Sequence, residues 1–552
     1  MSTAPTPAEA IAALLARGEA RPALGLCLQA LRRAPTDRPL LSLLVRAALA
    51  AGEPDGGLAL LEQLVPATGQ DPGVSEAYGS LLALAGRTAR IKDFRTVAEA
   101  VDSLNGPACR VMAGVHAALG EGDAVALYRG LAGWLEAAAA LPDRPDTVPP
   151  VALPPAEADV PPVAEPDLVC FVAHHVTPRI RKLAHGLRAR GLRVHLVIDG
   201  LMPPSPTDDQ GYDPREFDGL THAPGPLALW RLLRARAPLA VHVFCHNYDN
   251  WDGAMTALLL GRPNTVIDPY DPFHPSIAPQ RFDGPGEDKD RNRRILKLQR
   301  LVYDNAPALC LRFLYPHLTR SRLADRPRRR LYFPDMAWGR TPTARKLSAD
   351  DGMLHVVHGG SFQPERTHGT PFSGLLWLAE RAEDFGVHLH LYAVPDGRAT
   401  AGGGLDLRDY QAVAARSAHM HLHDPLPYDQ WLDALARYDL GIMAIHPPDT
   451  DIFVDIPRPR EPRGLWGNKI GDYLDAGLYT VCSWRSLVMG WLVERYGVGQ
   501  RATCEEVVTR AFWDDLKARL LGGDGVDLSR GVAALSVDRH AERLAAFYRT
   551  LT

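Results

Sequence analysis

The chain has 552 residues, 46% of them hydrophobic and 23% charged, the balance of a globular protein able to bury several cores. Its formal net charge of -4 supplies no basic field, so no nucleic-acid partner is expected. Seven cysteines, an odd number with no Cys-x-x-Cys pair or zinc-ligand spacing, argue against a full disulfide framework and for reduced thiols.

The first residues, Met1 to Pro7, carry no basic n-region and no long apolar run, so no leader is expected. The longest apolar runs, such as Met255 to Leu260, are far too short to span a bilayer. A cytoplasmic location is the expectation, with peripheral membrane contact left open.

Residues 1–142 read as helix after helix. Ile11, Leu14 and Leu15 recur at helical spacing, as do Leu40, Leu43 and Leu44. Breaks fall at Gly18-Glu19, Pro35-Thr36-Asp37, Gly52-Glu53-Pro54-Asp55 and Gly120-Glu121-Gly122-Asp123. Short helices joined by short turns predict an antiparallel array, and the Arg21 to Pro35 segment resembles a degenerate tetratricopeptide helix. The Trp/Tyr signature and the strict period of that repeat are missing, so an unrelated helical bundle stays open.

Residues 143–166 read as a linker, because Pro145, Pro149, Pro150, Pro154, Pro155, Pro161, Pro162 and Pro166 favour extended polyproline II. The pattern then changes. Leu168 to Ala173, Leu192 to Ile198, Ala240 to Phe244 and Asn264 to Asp268 are strand-length apolar runs with helical stretches between them. The alternation restarts at Met353 to His358 and continues through Val387 to Tyr392 and Leu440 to Met443. Alternating strands and helices predict parallel sheets covered on both faces. Two tandem Rossmann-like α/β domains are expected, at 167–345 and 346–505, followed by C-terminal helices at 506–552.

The stretch from Gly467 to Val481 carries the most chemistry. A polar Gly467-Asn468-Lys469 opening leads into an amphipathic helix, which Gly477 ends before an apolar strand. Such an opening gathers free backbone N–H groups and the ammonium of Lys469. Asp472, one turn on, suits ribose or sugar hydroxyls, or is simply a favourable acid near a helix start. Diphosphate plus polyol is the chemistry of a sugar nucleotide. Gly359, Gly360 and Ser361 offer close backbone approach to phosphate, or merely a tight turn, and Arg366 adds a cation.

In the first of the two expected domains, His246 follows a strand and suits a general base. Asp249 is the next choice and His174 and His175, after the first strand, the third; a capped loop with no chemical role is the plain alternative for each. Asp268 and Asp271 also follow a strand and are candidates to line the cleft. Asp449-Thr450-Asp451 matches a manganese motif but sits among prolines, as a loop does. His419, His421 and His423 share one face of a strand; no carboxylate or cysteine is spaced to complete a metal set, so a half-buried strand is expected. The basic stretches Lys289 to Arg300 and Arg320 to Arg330 suit anionic lipid or, more simply, solvent.

The Asn468-Lys469 to Val481 segment resembles the "Asn-Lys-…-Glu-Tyr-Leu-…-Ala-Gly-…-Pro-Val" segment of nucleotide-sugar glycosyltransferases with the GT-B fold. Val356 to Arg366 resembles the family's "Val-Gly-Arg-…-Pro-Glu-Lys" loop after the first strand of the second domain. Arg366 stands where the family usually has Lys, and Asp472 where it has Glu. The resemblance implies a metal-independent glycosyltransferase with no cofactor beyond its nucleotide-sugar substrate. Gly359, Gly360, Ser361, Arg366, Asn468, Lys469 and Asp472 would hold the donor, and the helical region would dock a protein acceptor. A nucleotide-sugar epimerase of the same fold and an inactive scaffold are the alternatives. The loop at 359–366 and the turn at 467–469 are required to border one pocket.

Overall fold

The computed structural model describes residues 5–67, 72–85, 106, 109, 112–113, 116, 121–141, 163–199, 212–223, 225–245, 251–269, 287–311, 329–332, 334–340, 342–360, 375–393, 407–424, 426–443, 469–484, 487–522 and 525–551. His246, Asp249, Asp271, Ser361, Arg366, Asn468, the Asp449 to Asp451 motif, and most of the proline-rich and 320–330 stretches lie outside them.

The N-terminal helices are Pro7–Ala16, Ala20–Leu31, Arg38–Ala51, Pro54–Ala67 and Pro72–Leu84. Their ends follow from local chemistry. Thr6 and Glu9 form a reciprocal capping box at the first start. Asp37 accepts from the Leu40 amide, and Gly52 ends its helix at φ +67°. Successive helices bury one core that includes Leu24, Leu41, Leu44, Leu61 and Leu81.

The helix Gly122–Ala139 belongs elsewhere. Its Leu127, Leu131 and Trp134 join the core of the first α/β domain, beside Leu259, Ile295 and Leu298. A Cβ on Gly130 would lie 2.6 Å from Leu259 Cδ2, so glycine lets the two helices close up. Arg231 bridges to Glu121 and Asp123 across the same seam. The sequence groups this helix with the repeats because it too is rich in Ala and Leu; its partner surface is what separates it.

The first sheet has strand order β3-β2-β1-β4-β5-β6-β7. The strands are β1 Val163–Ala173, β2 Arg193–Ile198, β3 Gly219–His222, β4 Arg236–Cys245, β5 Thr265–Pro269, β6 Ala308–Leu311 and β7 Arg330–Tyr332. The second sheet runs β10-β9-β8-β11-β12-β13. Its strands are β8 Leu354–Gly360, β9 Val387–Ala393, β10 Met420–His423, β11 Leu440–Ile442, β12 Tyr479–Ser483 and β13 Gly499–Ala502. Every pairing among them is parallel. Both orders are doubly wound, with the switch point between β1 and β4 in one domain and between β8 and β11 in the other. The two tandem Rossmann-like domains expected from the alternation are present.

The continuous apolar run of β1 serves both faces of its sheet. Leu168, Cys170 and Val172 face the helices Trp251–Leu259 and Glu287–Asn305. Val169, Phe171 and Ala173 face the helices Pro178–Arg188 and Val537–Arg549. The basic stretch from Lys289 to Arg300 thus sits in a packed helix, with Ile295, Leu298 and Arg300 all buried.

The last helix, Val537–Arg549, returns to the first domain. Tyr548 OH lies 2.5 Å from His242 Nδ1 on β4. Gly186 takes the helix at close quarters, since a Cβ there would stand 2.5 Å from that of Ala541. An earlier helix, Arg510–Leu521, stays with the second domain through Trp513, which stacks on Phe385.

Candidate functional site

In open α/β sheets, ligands bind beyond the carboxyl ends of the strands at the switch point. In the second domain β8 ends at His358, Gly359 and Gly360, and β11 ends at Ile442. The His358 Nδ1–H donates to the Ile442 carbonyl at 2.9 Å and so ties the two strands at that point. The helix Lys469–Asp475 begins above them. Its Lys469 ammonium donates to His358 Nε2 at 3.1 Å. The first residue of this helix and the end of β8 therefore meet at one place.

Burial and the neighbouring Lys469 hold His358 well below the usual imidazole value, so the ring is neutral. Burial pulls the Lys469 amine down to about 8, with Asp472 opposing. Among the described residues, the side-chain hydrogen-bond partner of this cation is thus an uncharged ring. No sequence motif singles out His358; it becomes legible only when β11 is set beside β8.

Gly359 has a packing reason for being glycine. A Cβ there would come within 2.0 Å of the Trp431 ring, on the helix Tyr428–Leu435. Gly441 on β11 makes the same room for Tyr473, whose hydroxyl donates to the Ile442 carbonyl at 3.2 Å. The helix then ends as its sequence predicts, with Gly477 at φ +66°.

Asp472 faces the other domain, and this differs from a carboxylate open to sugar hydroxyls. It is 5% exposed, and its Oδ1 accepts from Lys182 Nζ and from Tyr428 OH, both at 2.8 Å. Lys182 comes from the first-domain helix Pro178–Arg188 and also donates to the Met336 carbonyl at 2.8 Å. Burial alone would lower the Lys182 amine, but Asp472, Tyr428 and Asp475 outweigh it and hold the amine above its usual value. Asp475 accepts from three successive amides of the segment joining the domains: Trp338 at 2.7 Å, Gly339 at 2.9 Å and Arg340 at 3.3 Å. A Cβ on Gly471 would lie 2.1 Å from the Met336 carbonyl oxygen, so the helix and this segment touch backbone to backbone. Lys182 and Asp475 carry no sequence signal of their own, because their meaning lies in a contact between distant segments.

In the first domain, the switch point lies at the ends of β1 and β4. His174 and His175 follow β1 directly and are exposed. His174 Nδ1 stands 3.8 Å from Oδ1 of the buried Asp199, which follows β2. Burial pushes the Asp199 carboxyl up to about 6, and His174 pulls it back. Asp199 escaped sequence reading, although an acid just past an apolar strand was its available signal.

Asp268 does not line a cleft. It is fully buried, with Oδ2 accepting from Arg179 Nε and Nη2 at 3.1 Å, and His242 Nε2 at 3.3 Å. Asp335 takes the third arm of Arg179 at 2.8 Å. Both carboxylates neutralise a guanidinium that is itself buried, which is structural work. Beside the interdomain segment, Arg181, His185, Arg188, Trp338 and Arg340 border an open cleft of about 770 Å³.

On β8, β9 and β10, alternate positions of one sheet face carry His355, His388, His390, His421 and His423. His421 and His423 therefore share their face with histidines of two further strands. A carboxylate, Asp351, stands at the strand-start end of that row, 3.0 Å from His355 Nε2. The sequence spacing around 419–423 hides it, since the fold supplies it from a segment far away in the chain.

No family model matches the chain, and no curated protein matches it significantly. Solved structures give distant likenesses. A mutant O-GlcNAc transferase from Thermobaculum terrenum aligns at 13% identity and TM-score 0.36, over 100% of this chain and 98% of that one. The apo form of UGT2 from Phytolacca americana aligns at 12% identity and TM-score 0.40, over 70% and 100%. The UDP-GlcNAc 2-epimerase from Neisseria meningitidis, bound to UDP-GlcNAc, aligns at 8% identity and TM-score 0.39, over 69% and 100%. Likeness at this level leaves function to the chain's own residues. No described helix is long and apolar enough to cross a membrane.

The interdomain pair gives a direct test of the geometry. Lys182→Met strands Asp472 as a buried charge and is expected to cost about 3–5 kcal/mol in chemical denaturation. Adding Asp472→Asn to that variant should recover a large part of the loss; equal stability of the single and double variants would speak against the pairing.

Proposed function

We propose that the chain is a glycosyltransferase that takes its sugar from a nucleotide-sugar donor. The diphosphate seats at the carboxyl edge of the second sheet, against the Gly359-Gly360 backbone and the Lys469 ammonium. One observation carries this reading: a cation held at the switch point by a neutral imidazole. Among the described residues this half-buried cation has no hydrogen-bonded counter-anion, which favours an anionic ligand, because the ligand's charge offsets the desolvation already incurred. Charge on the departing diphosphate grows in the transition state, so the same ammonium would stabilise departure more than binding. Ser361, Arg366 and Asn468 extend the donor site in this reading, and Asp472 supports it by fixing the helix rather than by touching the sugar.

The first domain presents the acceptor. His174, with Asp199 beside it, is the general base this reading favours, accepting the acceptor's proton as the new glycosidic bond forms. His175, His246 and Asp249 belong to the same strand-end region by sequence and are the remaining candidates. The helices between Pro7 and Leu84 would dock a protein acceptor, since stacked helices offer an extended face.

Four outcomes are expected. Lys469→Ala should weaken UDP binding at least tenfold by calorimetry, about 1.4 kcal/mol. In the wild type, affinity should hold below pH 8 and fall as pH rises through about 8, because the charged amine binds the anion and the free amine does not. Flat affinity from pH 7 to 9.5 would count against Lys469 as the diphosphate ligand.

His174→Ala should lower kcat by about a hundredfold or more while leaving UDP affinity unchanged. A variant with normal turnover would remove His174 from the chemistry. Removing residues 1–85, with the Gly122–Ala139 helix kept in place, should abolish transfer to a protein acceptor and spare hydrolysis of the donor. Equal loss of both activities would argue against docking, and epimerised sugar formed from donor alone would move the assignment to an epimerase.

A further inference from the structure

The histidine row on the second sheet lies outside the chemistry proposed above, at the opposite end of the strands. We propose that Asp351, His355 and His388 form a binding site for one divalent transition-metal ion of the zinc class. One ligand atom from each lies within 4.8 Å of the others. His355 and His388 are direct cross-strand neighbours on β8 and β9. Both turn Nε2 toward Oδ2 of Asp351, at 3.0 Å and 3.6 Å. Asp351 ends the short helix Ser348–Asp351 and reaches the sheet as the chain enters β8.

The atoms behind the ligands strengthen the assignment. A metal-bound imidazole needs its second nitrogen hydrogen-bonded, which fixes the tautomer and aims the ring. His355 Nδ1 lies 2.9 Å from His390 Nε2, and His388 Nδ1 lies 3.0 Å from His421 Nε2. His390 Nδ1 in turn lies 2.9 Å from His423 Nε2. With metal on the two front Nε2 atoms, the protons must sit on Nδ1, and every contact in the row is then satisfied in one direction. The rings of His355 and His388 stack at 4.7 Å and 14°, so the two donors advance together.

The donor set selects the ion. Two imidazoles and one carboxylate suit zinc, and also cobalt or nickel, better than calcium or magnesium, which prefer all-oxygen shells. Three protein ligands leave a fourth position, and Asp351 and His388 are accessible enough for solvent to fill it. The ion would pin the 348–351 helix to the start of two strands. His358 and Lys469 lie at the far end of β8, so this site is independent of donor binding.

The test uses untagged full-length protein, stripped with a chelator and titrated with Co2+ and then Zn2+. The expected result is one Co2+ per chain with visible d–d absorption, displaced by one equivalent of Zn2+, and a rise in Tm on metal addition. Asp351→Asn with His388→Gln should abolish stoichiometric binding and leave UDP affinity unchanged. His421→Gln should weaken binding by about tenfold or more through the outer hydrogen bond. His222→Gln, remote from the row, should bind as the wild type does.

Should the variants fold poorly, zinc protection of His355 and His388 from diethyl pyrocarbonate, mapped by peptide mass spectrometry, reads the same site in the native chain. Absence of saturable one-to-one binding, binding that survives the double variant, or protection that spares these two histidines would each overturn the proposal.

Discussion

Removing an ammonium from water costs several kcal/mol even after the protein relaxes around it. Lys182 meets that cost with the Asp472 carboxylate, the Met336 carbonyl and the nearby Asp475, drawn from two separate stretches of chain. Two of those partners sit on the helix that opens with Lys469, and the third sits on the segment joining the domains. The ion pair thus fixes how the second domain's ligand-side helix stands relative to the first domain. Asp475 repeats the constraint through three linker amides, and Gly471 removes the side chain that would hold the two backbones apart.

The same logic explains the division of labour among the charged groups. Arg179 and Lys182 lie on one helix, and both are buried and matched by acids, so they define structure. Lys469 instead meets a neutral ring. Of these three cations, it is the one with no acid among its described hydrogen-bond partners, which is why the proposed donor site is placed there. His358 suits that task because it holds the amine in place without cancelling its charge.

Much of the architecture was legible because it follows from local pattern. Apolar runs such as Leu168 to Ala173 could only be strands buried on both faces, and Gly477 announced the end of its helix. That the end of β8 and the start of the 469–475 helix lie together agrees with the order of the two motifs, whose remaining residues, 361–366 and 467–468, lie outside the described residues. What stayed hidden depends on distant neighbours. Asp472 reads as a free acid until Lys182, 290 positions away, is brought beside it. Gly359 shows a second reason for being glycine only when Trp431 is brought against it. The helix Gly122–Ala139 has the composition of a repeat, and only the surface it meets gives it to the α/β core. Periodicity reports which face of an element is apolar; it does not report which partner covers that face.

The return of the Val537–Arg549 helix has a consequence for synthesis. His242 and Tyr548 are 306 positions apart, yet one face of the first sheet is completed by that contact. At ribosomal rates of roughly 5–20 residues per second, this face stays uncovered for tens of seconds after its strands emerge. Phe171, Phe244 and Ile180 would be open to mispairing during that interval. Nascent chains of this protein should therefore depend on a holdase more than their first domain's size alone would require.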